Sequence, residues 1–286
     1  MIRLEKNLPL SDGGNIDLTF EKFNGINDFL EKYENAPISK AYSKDYTADH
    51  LKDDKYEKYN QDQSGVYGFP DAIDKFKNGV NVQAMKSARM NASTGTKKEI
   101  KKSVAGGRVC VPAYLNGSPA CMRKHVNRPA KNELNLIVDT TVPWKVKGYE
   151  VVEAGKKIVE YLSIIENDYS VNLHVIALLS FNRVKVRGAK GKYICKDAYG
   201  FGIQIKEAGK PFSASRVSFC LTSPAFLRVF GFIWTSRAEG IPYDSCYGYP
   251  LSHEPKKEKE VLSNIYKNSK VISIYDVIRY GEKAFK

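Results

Sequence analysis

The residue with the clearest chemical potential is Asp139. It closes the short apolar run Leu134–Val138 and is followed by Thr140, Thr141, Val142 and Pro143. A carboxylate at a strand end, with hydroxyls behind it, offers hard oxygen ligands to a divalent cation. In open α/β sheets, ligands settle beyond the carboxyl ends of the strands. Asp139 and Thr141 are therefore candidate metal ligands; the other reading of Asp139 is a carboxylate that caps the turn before the next helix. A second chemistry is electrostatic. Lys97, Lys98, Lys101, Lys102, Arg108, Arg123, Lys124, His125 and Arg128 bracket the pair Gly106-Gly107, and Arg183, Lys185, Arg187, Lys190 and Lys192 surround Gly188–Gly191. Lys and Arg neutralise phosphates, and interleaved rings such as Tyr114, Tyr193 and Tyr199 stack on unpaired bases. The net charge of +13 agrees with an anionic partner. The alternative for both clusters is a solvated basic surface.

Other constellations are incomplete. His50, His125, His174 and His253 contain no His-x-x-x-His pair, and His174 lies inside an apolar run, where a core role is expected. Cys110, Cys121, Cys195, Cys220 and Cys246 form an odd set without a C-x-x-C pair, which predicts reduced thiols rather than disulfides or zinc. Cys121 and His125 lack an orienting third group. Gly188–Lys192 is not a Walker loop, and neither Gly65–Gly68 nor Gly200–Gly202 makes a dinucleotide fingerprint. Asp168, Asp197 and Glu207 are too scattered to read as a nuclease set. The residues lean away from an enzyme and leave one such alternative open, a divalent cation at Asp139, with no other cofactor expected. The start "MIRLEKNLPLSDGG" is unlike a signal peptide and no apolar run reaches membrane length, so a cytoplasmic protein without a membrane partner is expected.

The elements that must position these groups are clearest in the second half. Val151, Val152, Ile158, Val159, Leu162 and Ile165 recur at helical spacing within Gly148–Ile165. The apolar runs Leu134–Val138 and Asn172–Leu179 flank that helix, predicting a βαβ unit with two adjacent parallel strands covered on both faces. Lys192–Ile194 and Phe201–Ile205 suggest a hairpin or one interrupted strand. Ser223-Pro224 suggests a helix start, Val271–Ile274 a last strand, and Asp276 the start of a terminal helix. Arg108–Val111 reads as a short strand, with Pro112 restricting it to an edge or an end. Before residue 105, Phe20, Phe23, Ile26, Phe29, Leu30 and Tyr33 share helical spacing after a Thr19 cap, and Pro70 to Gly79 marks another helix. The expected organisation is a helical, partly irregular N-terminal extension over 1–104 and an α/β domain over 105–286. The fold class expected is an open, mostly parallel, Rossmann-like sheet flanked by helices.

Two resemblances extend this reading. The stretch from Leu134 to Leu179 resembles the opening βαβ of von Willebrand factor A domains, whose metal site follows the pattern Asp-x-Ser-x-Ser. Asp139 and Thr141 match its first two ligand positions, and Pro143 departs from the second serine. The resemblance implies a degenerate cation site in an interaction module. The segments "SGVYGFPDAIDKFKNGV", "AGGRVCVPAYLNGSPACM", "TSPAFLRVFGF" and "YGYP" resemble an uncharacterised bacteriophage and prophage family over roughly residues 64–250. Its hallmark positions here are Gly106, Gly107, Pro112, Tyr114, Leu115, Gly117, Pro119, Cys121 and Met122. That resemblance implies a phage-encoded protein acting in the host-cell cytoplasm or on the virion, with no catalytic residues to carry over.

Three functions follow as expectations: a nucleic-acid-associated binding protein, a structural or assembly protein with phage, host or self contacts through the Tyr-rich 240–250 loop, and a metal-dependent enzyme or binder at Asp139.

Overall fold

In a computed structural model of the chain, the structure describes residues 1–37, 68–80, 99–104, 108–126, 132–143, 145–185, 193–210, 213–242 and 248–285. The elements in chain order are β1 (Ile2–Pro9), β2 (Asn15–Phe23), α1 (Ile26–Tyr33), α2 (Gly68–Asn78), β3 (Glu99–Ser103), β4 (Arg108–Val109), α3 (Val111–Leu115), β5 (Met122–Val126), β6 (Glu133–Asp139), α4 (Gly148–Ile165), β7 (Ser170–Ser180), β8 (Arg183–Lys185), β9 (Tyr193–Cys195), β10 (Asp197–Lys206) and α5 (Ala214–Thr222). A π-helical turn (Phe226–Gly231) leads into α6 (Phe232–Arg237), followed by β11 (Tyr249–Pro250), a 3₁₀ turn (Leu251–His253), α7 (Pro255–Ile265), β12 (Ser269–Ser273), α8 (Ile274–Tyr280) and a closing 3₁₀ turn (Gly281–Phe285).

The main sheet has seven strands in the order β1-β2-β10-β7-β6-β12, with β11 added beside β7. The central prediction holds. β6 and β7 run parallel in register from Glu133↔Ser170 to Asp139↔Ile176, and α4 spans the residues expected of it. β12 adds parallel to β6, and β2 parallel to β10. The β1–β2, β7–β10 and β7–β11 ladders are antiparallel, so the sheet is mixed rather than purely Rossmann-like.

Alternation along β6 shows how the layers form. Leu136 and Val138 enter the larger core, which also holds Phe29, Phe201, Phe219, Phe226, Phe230 and Trp234 from the sheet and its helices. Ile137 faces the smaller core under α7, with Ile16, Leu18, Ile176, Leu178, Val261 and Leu262. Helix α4 lies close to α5 because Gly155 has no side chain: a Cβ there would sit 2.0 Å from the Leu221 carbonyl oxygen. Among the described residues, no single helix is long and apolar enough to cross a membrane.

Several expectations change. Residues 1–23 are not a helical extension: they form an antiparallel pair whose inner strand joins β10, so the expected boundary at 104/105 does not divide the sheet. Ile16, Leu18 and Phe20 are buried while Asn15 and Asp17 are exposed, a period of two that ends only at Phe23. The helix therefore starts at Ile26. Glu21, which is 1 % exposed, fastens this region. It receives Lys32 Nζ at 2.7 Å, Trp234 Nε1 at 3.2 Å and the Tyr33 hydroxyl, and Arg3 stands at 3.5 Å. Pro112 does not end a strand. β4 stops at Val109, and Pro112 occupies the first turn of α3, where its missing N–H costs nothing. β8 (Arg183–Lys185) and β9 (Tyr193–Cys195) pair antiparallel as a separate two-stranded sheet, while β10 is a long strand of the main sheet. The helix start expected at Ser223-Pro224 is present, with the Ser223 Oγ accepting the Ala225 N–H at 3.3 Å, and a further helix, α5, precedes it and ends at Thr222. The charged run after residue 254 is the helix α7. The stretch 81–104, whose pattern suggests a helix broken at Ser93-Thr94-Gly95, instead holds the strand β3 at Glu99–Ser103; residues 38–67 and 81–98 lie outside the described ones.

Candidate functional site at the carboxyl edge of the sheet

β6, β7 and β12 are parallel; β6 and β12 end level at Asp139 and Ser273, and β7 runs past Ile176, their neighbour in register, to Ser180. β10 begins at the same edge with Asp197. Its carboxylate accepts from Ser180 Oγ at 2.6 Å and from the backbone N–H groups of Phe181 and Asn182 at 2.9 and 3.0 Å, which fixes the corner between β7 and β8. Asp197 is thus a structural cap.

Asp139 is fully buried. Its Oδ1 accepts the Thr141 N–H at 3.0 Å and its Oδ2 accepts the Thr141 hydroxyl. Ser273 stands opposite Asp139 in the β6–β12 ladder, and its buried Oγ has no hydrogen-bond partner. From α7 comes Glu258, 2 % exposed, hydrogen-bonded to Asp139. Two carboxyls in contact without water cannot both ionise cheaply. Burial pushes the Asp139 carboxyl up to about 6, against the bonds from Thr141 and Glu258 that hold it down. Burial, then the neighbouring Asp139, pushes Glu258 well above the usual carboxylate range. The pair therefore holds a proton, which also accounts for a Glu258 Oε1 that otherwise lacks a donor.

The sequence brought Asp139 and Thr141 together correctly, but as donor and acceptor of one another. Both Asp139 oxygens are engaged, and among the described residues no group of three or more His, Cys, Asp or Glu side chains is placed to hold a metal ion. This arrangement does not fit the cation site implied by the A-domain resemblance.

Next to the carboxyl pair runs an aromatic and cationic series drawn from four elements, β8, β11, the 3₁₀ turn after it and α8. The Arg183 guanidinium lies 4.5 Å from the Tyr249 ring centroid. Tyr249 meets His253 at 4.6 Å, its hydroxyl 2.6 Å from Nδ1. His253 stacks on Tyr275 at 5.1 Å and an interplanar angle of 5°. Arg279 follows, 5.5 Å from the Tyr275 ring and 5.2 Å from that of Tyr280. Burial lowers the His253 pKa, and Lys145, Arg279 and Arg183 lower it further. By contrast, His174 is the core residue expected: burial, aided by Lys22, lowers it to about 4, and its ring rests 4.8 Å from Tyr266.

The first basic cluster takes an ordered form. β3, β5 and β4 make a separate three-stranded sheet. Lys102 is in register with Arg123, Arg123 with Arg108, and Lys101 with Lys124. The adjoining motif segment is a compact turn. The Cys110 N–H donates to the Cys121 carbonyl at 2.6 Å, and Gly117 takes a φ of 66°. α3, with Pro112 in its first turn, leaves Tyr114 64 % and Leu115 76 % exposed. Pro119 is exposed, while Cys121 and Met122 are half-buried. Of the second cluster, Arg183 and Lys185 are exposed on β8. Lys97, Lys98, Gly106, Gly107, Arg128, Arg187, Lys190 and Lys192 lie outside the described residues.

Sequence reasoning missed Glu258, Tyr249, His253, Tyr275 and Arg279 as a group. The available signals were local: the Tyr249-Pro250 pair ahead of His253, and the four-residue spacing of Tyr275 and Arg279, which puts both on one helix face.

Fold and site define a mixed-sheet α/β protein with a buried acid pair and a cationic aromatic series at the carboxyl edge. The chain belongs to a family described as a domain of unknown function, DUF7192, which matches residues 10–280 and so crosses the expected boundary at 104/105. No curated protein and no solved structure matches it.

Proposed function

We propose that this is a non-enzymatic, phage-encoded binding protein of the host-cell cytoplasm that engages single-stranded nucleic acid through its basic surface. The observation that carries this reading is the row Lys102–Arg123–Arg108, three cationic positions in register across adjacent strands. Like charges directly opposite in a sheet destabilise it. A polyanion laid across the row gains counterion release. The overall charge of +13 works in the same direction.

The test is the affinity of a fluorescent single-stranded oligonucleotide across a salt series. The affinity should fall steeply with salt, and replacing all three positions by Gln should reduce the log–log slope by about 2, since each single-strand phosphate contact contributes roughly 0.7. Binding that is independent of salt, or unchanged in the triple variant, would overturn the reading.

A second reading, assembly through protein contacts, is favoured by a different observation. Val109, Val111, Tyr114 and Leu115 are all exposed around the motif turn. It expects an oligomer in light scattering that Leu115→Ser dissociates. Of the 240–250 loop expected in this role, residues 243–247 lie outside the described ones and Tyr249-Pro250 form β11.

A further inference from the structure

Two cysteines stand at the base of the motif turn. The β4–β5 ladder pairs Arg108 with Arg123 and Val109 with Met122, so its next rung sets Cys110 opposite Cys121. That rung is made: the Cys110 N–H donates to the Cys121 carbonyl at 2.6 Å. Residues directly opposite in an antiparallel pair send their side chains to the same face. A hydrogen-bonded rung holds its Cα atoms about 5.5 Å apart, inside the span of roughly 4.4–6.8 Å that a disulfide bridges. At Cβ such pairs stand about 4.5–5.5 Å apart, and a disulfide draws them to about 3.5–4.5 Å. This rung is the last of its ladder and has room to close by that margin. The Cys110 carbonyl turns to accept the Tyr114 N–H at 3.0 Å, which leaves one ladder bond here instead of two. The intervening turn keeps the two ends together through bonds of its own, from the Asn116 N–H to the Pro112 carbonyl at 3.1 Å and from the Ser118 N–H to the Ala113 carbonyl at 2.9 Å.

Both cysteines are thiols. Cys121 is half-buried and within reach of solution, whereas Cys110 is 6 % exposed. Cys195 and Cys220, on β9 and α5, are each 1 % exposed and shielded from a dissolved oxidant.

We propose that Cys110 and Cys121 form a reversible redox clamp on the Val111–Ala120 turn, closed by a low-molecular-weight disulfide. The Cys121 thiolate attacks one sulfur of that disulfide and displaces a thiol, leaving a mixed disulfide on Cys121. The Cys110 thiolate then attacks the Cys121 sulfur, displaces the second thiol and completes the Cys110–Cys121 bond. Two protein thiols are oxidised, one small disulfide is reduced to two thiols, and the two cysteine protons end on those thiols. Because the rung must tighten to close, the bond is readily reduced again. The clamp fixes the exposed surface made by Val111, Tyr114 and Leu115, and it depends on neither reading of the partner.

The experiment uses the full chain and glutathione. Native protein is equilibrated over a series of reduced-to-oxidised glutathione ratios, remaining thiols are alkylated, and the tryptic peptides are weighed. Cys110 and Cys121 share the tryptic peptide Val109–Arg123. The bond therefore shows as that peptide without alkyl groups and lighter by two hydrogens than its reduced form. Cys110→Ser should stop at the mixed disulfide, with glutathione on Cys121, and Cys121→Ser should leave Cys110 without glutathione; either variant serves if the other fails to fold. Chymotrypsin cleavage after Tyr114 and Leu115 should slow roughly tenfold or more in the oxidised protein, because the closed rung opposes local opening of the turn. A native peptide that is doubly alkylated at every ratio, that carries glutathione in place of the internal bond, or that is joined to the peptide of another cysteine overturns the pair. An internal bond with unchanged cleavage overturns the clamp.

Discussion

Glu258→Gln tests the buried acid pair most directly. In the native protein Asp139 and Glu258 retain protons that the unfolded chain releases near pH 4. Both folded-state values are raised, so the native state binds more protons than the unfolded one above pH 4. Stability must then fall as pH rises through this window. Each excess proton contributes a slope of about 1.4 kcal/mol per pH unit. For Asp139, raised from 3.8 to about 6, the loss amounts to roughly 3 kcal/mol across the window. Glutamine keeps the shape of Glu258 and supplies a permanent N–H donor to Asp139, whose other acceptor sites are already filled by Thr141. The Glu258 share of the slope is then lost while burial still raises Asp139, so the slope should fall by roughly half. Urea unfolding followed by circular dichroism at pH 4.5, 5.5, 6.5 and 7.5 measures it. Wild type should lose stability steadily over this range, with the variant falling about half as steeply and more stable at the top of it. The same slope in both proteins, or a variant weakened equally at every pH, would refute the shared proton.

Further substitutions probe the scaffold. Lys206→Met strands the buried Glu166 partner, 2.8 Å away, and should cost about 3–5 kcal/mol in urea unfolding, most of it recovered when Glu166→Leu is added. Glu21→Ala removes the acceptor shared by Lys32, Tyr33 and Trp234 and should cost about 3 kcal/mol or more, detaching β1 and β2 first in hydrogen exchange. Gly155→Ala pushes a methyl into the Leu221 carbonyl and should cost about 1–3 kcal/mol, read as a lower melting temperature.

The β6–α4–β7 unit was legible because both strands are continuous apolar runs and the helix has a clean period. The N-terminal strands were not. Phe20 and Phe23 fit a helical stripe continuing to Tyr33 as well as the two-residue alternation from Ile16, and only pairing with β10, about 180 residues away, decides between them. α7 was hidden by its charge: Lys257 and Glu258 are buried there, each paired with a group the sequence cannot place beside it. At the site, Asp139 and Thr141 were found because they are neighbours. Glu258, His253 and the Tyr275–Arg279 pair arrive on three separate elements, so no spacing links them all.

The partnership of β2 with β10 has a consequence for biosynthesis. The first hairpin leaves the ribosome long before its inner partner exists, and until about residue 206 is made its inner margin offers unpaired N–H and C=O groups to any strand nearby. Nascent chains therefore carry an adhesive segment for most of their synthesis. A shortened gene product starting after Phe23 would instead bare the flank of β10, with Tyr199 to Ile203 ready to dimerise or precipitate.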